Sequence, residues 1–235
     1  LPSLPLMIIH LISGVDIFGD YDRYIRISFK DKINKTSLHI WDEPKESTIM
    51  ILFHGSPFLF DKFDLSGAGE GTGIKFGFGV YLTEVEASAV HYSQPRNLEL
   101  MPEHYLYTVE IPELTEGNHL ASALPVSPII INKAEAKLGV SAPEKVKAQG
   151  KEFRKWVGMT LTGAKKNDFA SEKAAAELLN SLGVLYNVWP TAMTKPDGPK
   201  NIAVFDATNV RIIKRERIDI ENKCKKWVLT DRKEI

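Results

Sequence analysis

The chain has 235 residues, 43% of them hydrophobic and 26% charged, which places it among globular proteins with room for one full core. Its 30 basic and 30 acidic residues cancel, so no global field draws it to nucleic acid or anionic lipid. A single cysteine, Cys224, excludes an internal disulfide framework and a thiolate metal cluster, which suits a reducing cytoplasm.

In chain order, the first apolar run, Leu1 to Gly14, is broken by Pro2, Pro5, His10 and Ser13. It is too short to span a bilayer and lacks the basic flank of a signal peptide, and Met7 is a candidate start. Tyr24 to Phe29 and Thr36 to Trp41 alternate apolar and polar residues around a turn at Asp31 to Lys35, the pattern of a β-hairpin. Thr48 to His54 is a continuous apolar strand that ends on a histidine, and a loop with Gly67, Gly69, Gly71, Gly73, Gly77 and Gly79 follows. Glu84 to Ser93 reads as a short helix and Tyr105 to Ile111 as a strand.

The middle of the chain turns helical over Lys133 to Leu138, Glu144 to Leu161 and Asp168 to Leu182, with Asp168 as N-cap and Gly183 at the C-terminal stop. Strands resume at Val184 to Val188, Ile202 to Asp206 and Val210 to Ile213. The expected class is α+β, with mainly antiparallel strands in split sheets around a helical insertion. The expected division is an extension over 1–47, a catalytic domain over 48–213 and a basic tail over 214–235. Basic residues gather in Lys145, Lys147, Lys151, Arg154, Lys155, Lys165 and Lys166, and again from Arg211 to Lys233. Such runs are usually solvated faces; a nucleic-acid footprint is the sharper alternative.

Three blocks carry chemistry. His54-Gly55-Ser56 ends a strand, Gly77-x-Gly79-Val80-Tyr81-x-Thr83-Glu84 follows with Tyr92 eleven residues after Tyr81, and Asn201-Ile202-Ala203-Val204-Phe205-Asp206 closes the set. Their order and spacing resemble the signature blocks of the diphtheria-toxin-type and PARP-type ADP-ribosyltransferases, over about His54 to Ile213. The helix before Gly183 leading into the strand at Tyr186 is more similar to the small transferases of phage polyvalent proteins than to eukaryotic PARPs.

The resemblance implies an ADP-ribosyltransferase fold and NAD as substrate, with no metal. It implies that His54 hydrogen-bonds a ribose hydroxyl, Gly55 offers its backbone to the carboxamide, Ser56 supports the ribose side, and Tyr81 and Tyr92 flank the nicotinamide. Cleaving the nicotinamide–ribose bond passes through an oxocarbenium-like sugar, so both rings must be fixed and developing positive charge stabilised. Each residue also has a structural reading: His54 as a core histidine at a strand end, and the tyrosines as packing.

The third block departs from the PARP pattern, which has a glutamate five residues before the aspartate; here that position is Asn201. An amide can hold a 2′-hydroxyl but cannot act as a general base. Chain elongation is therefore not expected, and the third catalytic residue is Asn201, Glu84 or Asp206, the last two of which read more readily as caps, Glu84 of a helix and Asp206 of a turn before Thr208. Ala89 stands where PARPs carry a serine that bonds the carboxamide.

The expectation is a mono-ADP-ribosyltransferase acting on a protein or nucleic acid, a bacterial or phage toxin or effector, cytoplasmic and without a membrane partner. It admits a neutralising antitoxin. An NAD glycohydrolase and a decayed nucleotide-binding module are the competing classes.

Overall fold

The computed structural model describes residues 25–26, 39–40, 48–68, 74–94 and 103–235. The chain divides into two compact units, Leu1–Ser47 and Thr48–Ile235. In the first, β1 (Ile25–Arg26) pairs antiparallel with β2 (His39–Ile40), inside the expected hairpin. The rest of that hairpin, the Leu1 to Gly14 run, Met7, and Gly69, Gly71 and Gly73 lie outside the described residues.

The second unit is α+β, built on one eight-stranded sheet. Its strands are β3 (Ile49–Ser56), β4 (Val80–Thr83), β5 (His104–Pro112), β6 (His119–Ala121), β7 (Tyr186–Pro190), β8 (Lys200–Val204), β9 (Arg211–Lys223) and β10 (Lys226–Glu234). Across the sheet they run β10-β9-β5-β3-β4-β8-β7-β6. Every neighbouring pair is antiparallel except β6 with β7. Side chains two apart on a strand share a face. Tyr105, Tyr107, Val109 and Ile111 of β5 accordingly form one core with Leu52, Val80, Leu82, Tyr186, Val188, Ile202 and Val204. The loop after β3 covers part of this face through Phe60, Phe63 and Leu65. It is pinned by the Tyr107 hydroxyl, which accepts from Phe60 N–H and donates to the Phe58 carbonyl, each at 2.9 Å.

Five helices among the described residues complete the unit: α1 (Glu86–Tyr92), α2 (Pro128–Leu138), α3 (Glu144–Lys147), α4 (Gly150–Thr162) and α5 (Phe169–Ser181). A second core joins Phe153 and Val157 of α4, Ala175, Ala176 and Leu179 of α5 and Ile130 of α2 to Phe78 and Phe205. Helices α4 and α5 touch backbone to backbone at Gly158, where a Cβ would stand 2.1 Å from the Ser171 carbonyl oxygen. Helix α1 lies over a small third cluster, Ala89 and Val90 with Leu106 and Ile218.

Asp168 caps α5 as expected, its Oδ1 accepting from Ser171 N–H at 2.9 Å, and Gly183 follows with φ +82°. The single helix expected over Glu144 to Leu161 is two. Gln149 is extended, and Gly150 presses against Ala121, whose carbonyl oxygen would lie 2.4 Å from a Cβ there. Long-range contact breaks the helix where local propensity does not. Helix α2 begins earlier than expected, with Ser127 as cap and Pro128 in the first turn. Residues 214–235, read as a basic tail, continue the sheet as the second half of β9 and all of β10.

Candidate functional site

Strand β3 delivers the first block to a seam in the sheet. It is paired with β5 over its full length, yet with β4 at only one position, Phe53 opposite Thr83. Beyond that bridge His54, Gly55 and Ser56 make no ladder to β4. His54 spans the seam with its side chain, Nδ1 lying 2.8 Å from the Tyr81 carbonyl oxygen. A carbonyl only accepts, so Nδ1 carries the hydrogen. Phe63 and Phe60 meet the imidazole edge-on, with ring centroids 5.1 and 6.1 Å away. Burial lowers the His54 pKa below the ordinary imidazole value, against the opposing pull of the Tyr81 carbonyl. The neutral ring therefore keeps a lone pair on Nε2 as a hydrogen-bond acceptor.

Gly55 is needed for packing in this structure. A Cβ would stand 1.9 Å from the Ala89 carbonyl oxygen and 3.0 Å from Ser93 N, so α1 seats directly on the β3 backbone. Ser56 is buried and its Oγ accepts from Phe58 N–H at 3.0 Å, turning the chain out of the strand.

Tyr81 is held at its hydroxyl, which donates to the Gly77 carbonyl at 2.8 Å and accepts from Phe76 N–H at 3.0 Å. Burial pushes its pKa up to about 12, so it stays protonated at neutral pH. Trp189 meets the ring edge-on at 5.5 Å and stacks flat on Phe76 at 4.2 Å. Asn187 Nδ2 donates to the Phe76 carbonyl at 2.8 Å, fixing the same turn from the far side. Tyr92 ends α1 and is 52% exposed, with the His91 ring edge-on beside it at 5.3 Å.

Asn201 sits on β8 between Thr83 of β4 and Trp189 of β7. It lines a cleft of about 490 Å³ together with Tyr92, Ser88, Thr191 and the first residues of β10, Lys226 to Leu229. His54, Gly55, Ser56 and Tyr81 are outside this lining. The expected site residues thus fall into two groups, His54 with Tyr81 at the seam and Tyr92 with Asn201 in the cleft, joined through the contact of Gly55 with α1. The other two candidates for the third residue are engaged elsewhere. Glu84 closes the start of β8, its Oε2 accepting from Lys200 N–H at 2.6 Å. Asp206 caps a short turn, accepting from Thr208 N–H at 2.9 Å and Thr208 Oγ1 at 2.8 Å, bonds that lower its pKa.

Arg154 does not belong to a basic face. It is wholly buried, with Nε 2.6 Å from Glu172 Oε2 and Nη2 3.0 Å from Oε1, and Asn167 donates to the same carboxylate at 2.8 Å. Its side chain also abuts Gly77, where a Cβ would lie 3.2 Å from Nε. A helix-borne ion pair thereby backs the turn that holds Tyr81. The signal in the sequence was an arginine on the apolar side of α4, with Phe153 and Val157 beside it in helical spacing. Trp227 of the cleft lining was also missed, and Lys226 was read only as part of the basic run from Arg211 to Lys233.

Among the described residues no helix is long and apolar enough to cross a membrane. Nor does any group of three or more His, Cys, Asp or Glu among them gather to hold a metal ion. Compared with known proteins, the chain matches no family model, no curated protein and no solved structure.

Proposed function

We propose that residues 48–235 form a mono-ADP-ribosyltransferase that moves ADP-ribose from NAD to a macromolecule in the cytoplasm, as a bacterial or phage toxin does. The seam between β3 and β4 carries this reading. The ladder between the two strands stops after one pair, and the neutral imidazole of His54 bridges it with Nε2 left as an acceptor. A ribose hydroxyl is a fitting donor to that nitrogen. The transferase fold, with its opening at the β3–β4 seam of the one sheet, is the finer fold reading that accompanies it.

In the reaction the bond between nicotinamide nitrogen and ribose C1′ breaks, and nicotinamide leaves as a neutral base with the bonding electron pair. A nucleophile on the acceptor then bonds to C1′ and gives up its proton to solvent. Within this reading, His54 orients the ribose, Tyr92 covers the nicotinamide, and Asn201 holds a hydroxyl without removing a proton. The acceptor must therefore be a nucleophile without help from a carboxylate base.

The test is incubation with NAD labelled separately in nicotinamide and in adenine. Nicotinamide release with adenine label on a macromolecule is the expected result. Free ADP-ribose as the sole product means a glycohydrolase, and no turnover by folded protein means a decayed module.

A further inference from the structure

The hairpin β9–β10 carries nine basic residues, and six of them are neutralised. Arg211 pairs with Glu110, Lys214 with Glu216, Arg215 with Asp61, Arg217 with Glu103, Lys223 with Glu221 and Arg232 with Glu86. Among the described residues Lys225, Lys226 and Lys233 have no such partner. Two of these three stand side by side at the hairpin tip. Cys224 and Lys225 both adopt left-handed φ, 52° and 66°, making a two-residue turn that sets Lys223 opposite Lys226.

This tip is fastened to the cleft. Trp227 N–H donates to His91 Nδ1 at 3.3 Å, and Arg232 grips Glu86 through both terminal nitrogens at 2.6 and 3.2 Å. The acidic residue in the cleft lining is thereby neutralised. What remains is a cleft lined by the ring-bearing Tyr92, His91 and Trp227 together with Asn201, Thr191 and Lys226. Flat apolar rings beside unpaired cations are the elements by which single strands are bound without sequence preference: bases stack and phosphates meet lysine. An aromatic face beside Lys226, with Lys225 next to it in the turn, suits a strand of bases and phosphates better than an acidic protein surface.

Resting on the transferase reading, we propose that the hairpin side of this cleft binds single-stranded nucleic acid as the acceptor, a base lying against Trp227 next to the nicotinamide ribose at Tyr92 and Asn201, and backbone phosphates on Lys225 and Lys226. A free strand can place an unstacked base there, whereas a duplex cannot. The hairpin thus selects the acceptor, while His54, Tyr92 and Asn201 serve NAD.

The experiment titrates the full chain with fluorescein-labelled single-stranded DNA and RNA 12-mers, the matching duplexes and an Asp/Glu-rich peptide. Nicotinamide release is followed in parallel. Single strands are expected to bind more tightly than duplex or peptide. Trp227→Ala should weaken them roughly tenfold, and Trp227→Phe, which keeps a stacking face, should restore most of the loss. Replacing both Lys225 and Lys226 by Gln should flatten the slope of log affinity against log salt by roughly 1.4, two single-strand phosphate contacts. These two substitutions are on an exposed turn, so a folding failure of the tryptophan variants leaves the salt slope as an independent measure. Nicotinamide release without oligonucleotide binding, or tighter binding of the peptide than of single strands, overturns this proposal and leaves the transferase reading uncontradicted. Oligonucleotide binding without nicotinamide release overturns the transferase and the acceptor role with it.

Discussion

His54 holds the account together at the scale of single residues, and its titration is the first consequence. Its pKa is lowered in the folded protein, so between the unfolded value of about 6.5 and the folded one the unfolded chain binds more protons. Stability contributed by the neutral ring is present above that window and is lost as pH falls through it. Thermal unfolding from pH 7.5 to 5 should show this slope in the wild type and a shallower one in His54→Gln; equal slopes would remove the assignment. Tyr81 is the second case. Tyr81→Phe deletes both hydroxyl bonds and leaves Phe76 N–H without its acceptor, a loss of about 1 to 3 kcal/mol in chemical denaturation. Tyr81→Ala should cost more, since the turn at 76–77 loses its anchor altogether. Motif spacing singled these residues out; their packing was not legible, because Phe60, Phe63 and Tyr107 reach His54 from a loop and a neighbouring strand.

Individual elements show where local sequence suffices and where it fails. Helix α5 was legible because Asp168 and Gly183 mark its ends and apolar residues recur at helical spacing between them. The corner between α3 and α4 was hidden, because the contact of Gly150 with Ala121 joins segments 29 residues apart in the chain. Arg154 was misread as surface for the same reason, its partner Glu172 lying 18 residues away on another helix. Removing one member of this buried pair strands the other charge. Arg154→Met should cost roughly 3 to 5 kcal/mol, and a second change, Glu172→Leu, should recover much of it. Urea unfolding of the three variants checks this, and a single mutant as stable as the double would contradict it. The hairpin tip makes a prediction in the opposite direction. Its two left-handed positions hold cysteine and lysine, and the pair Cys224→Asn with Lys225→Gly suits the turn, raising stability by roughly 1 to 2 kcal/mol. A lowered melting temperature would show that the turn is not of this type.

For the whole molecule, zero net charge conceals an uneven distribution. Most cations of β9 and β10 are paired, leaving the turn at Lys225 and Lys226 exposed beside a cleft that shares Asn201 and Tyr92 with the proposed site. The α+β class and the antiparallel bias were legible from alternating strands and capped helices. A single sheet of eight strands was not, since β9 and β10 carry so many charges that alternation reads as a solvated tail. The transferase reading is tested most directly by a nicotinamide-release assay at millimolar NAD, with adenine label followed into macromolecules for wild type and His54→Ala. The expected result is release and labelling by the wild type, with both lost in a variant that keeps its cooperative thermal transition. Folded wild-type protein that releases no nicotinamide would contradict it.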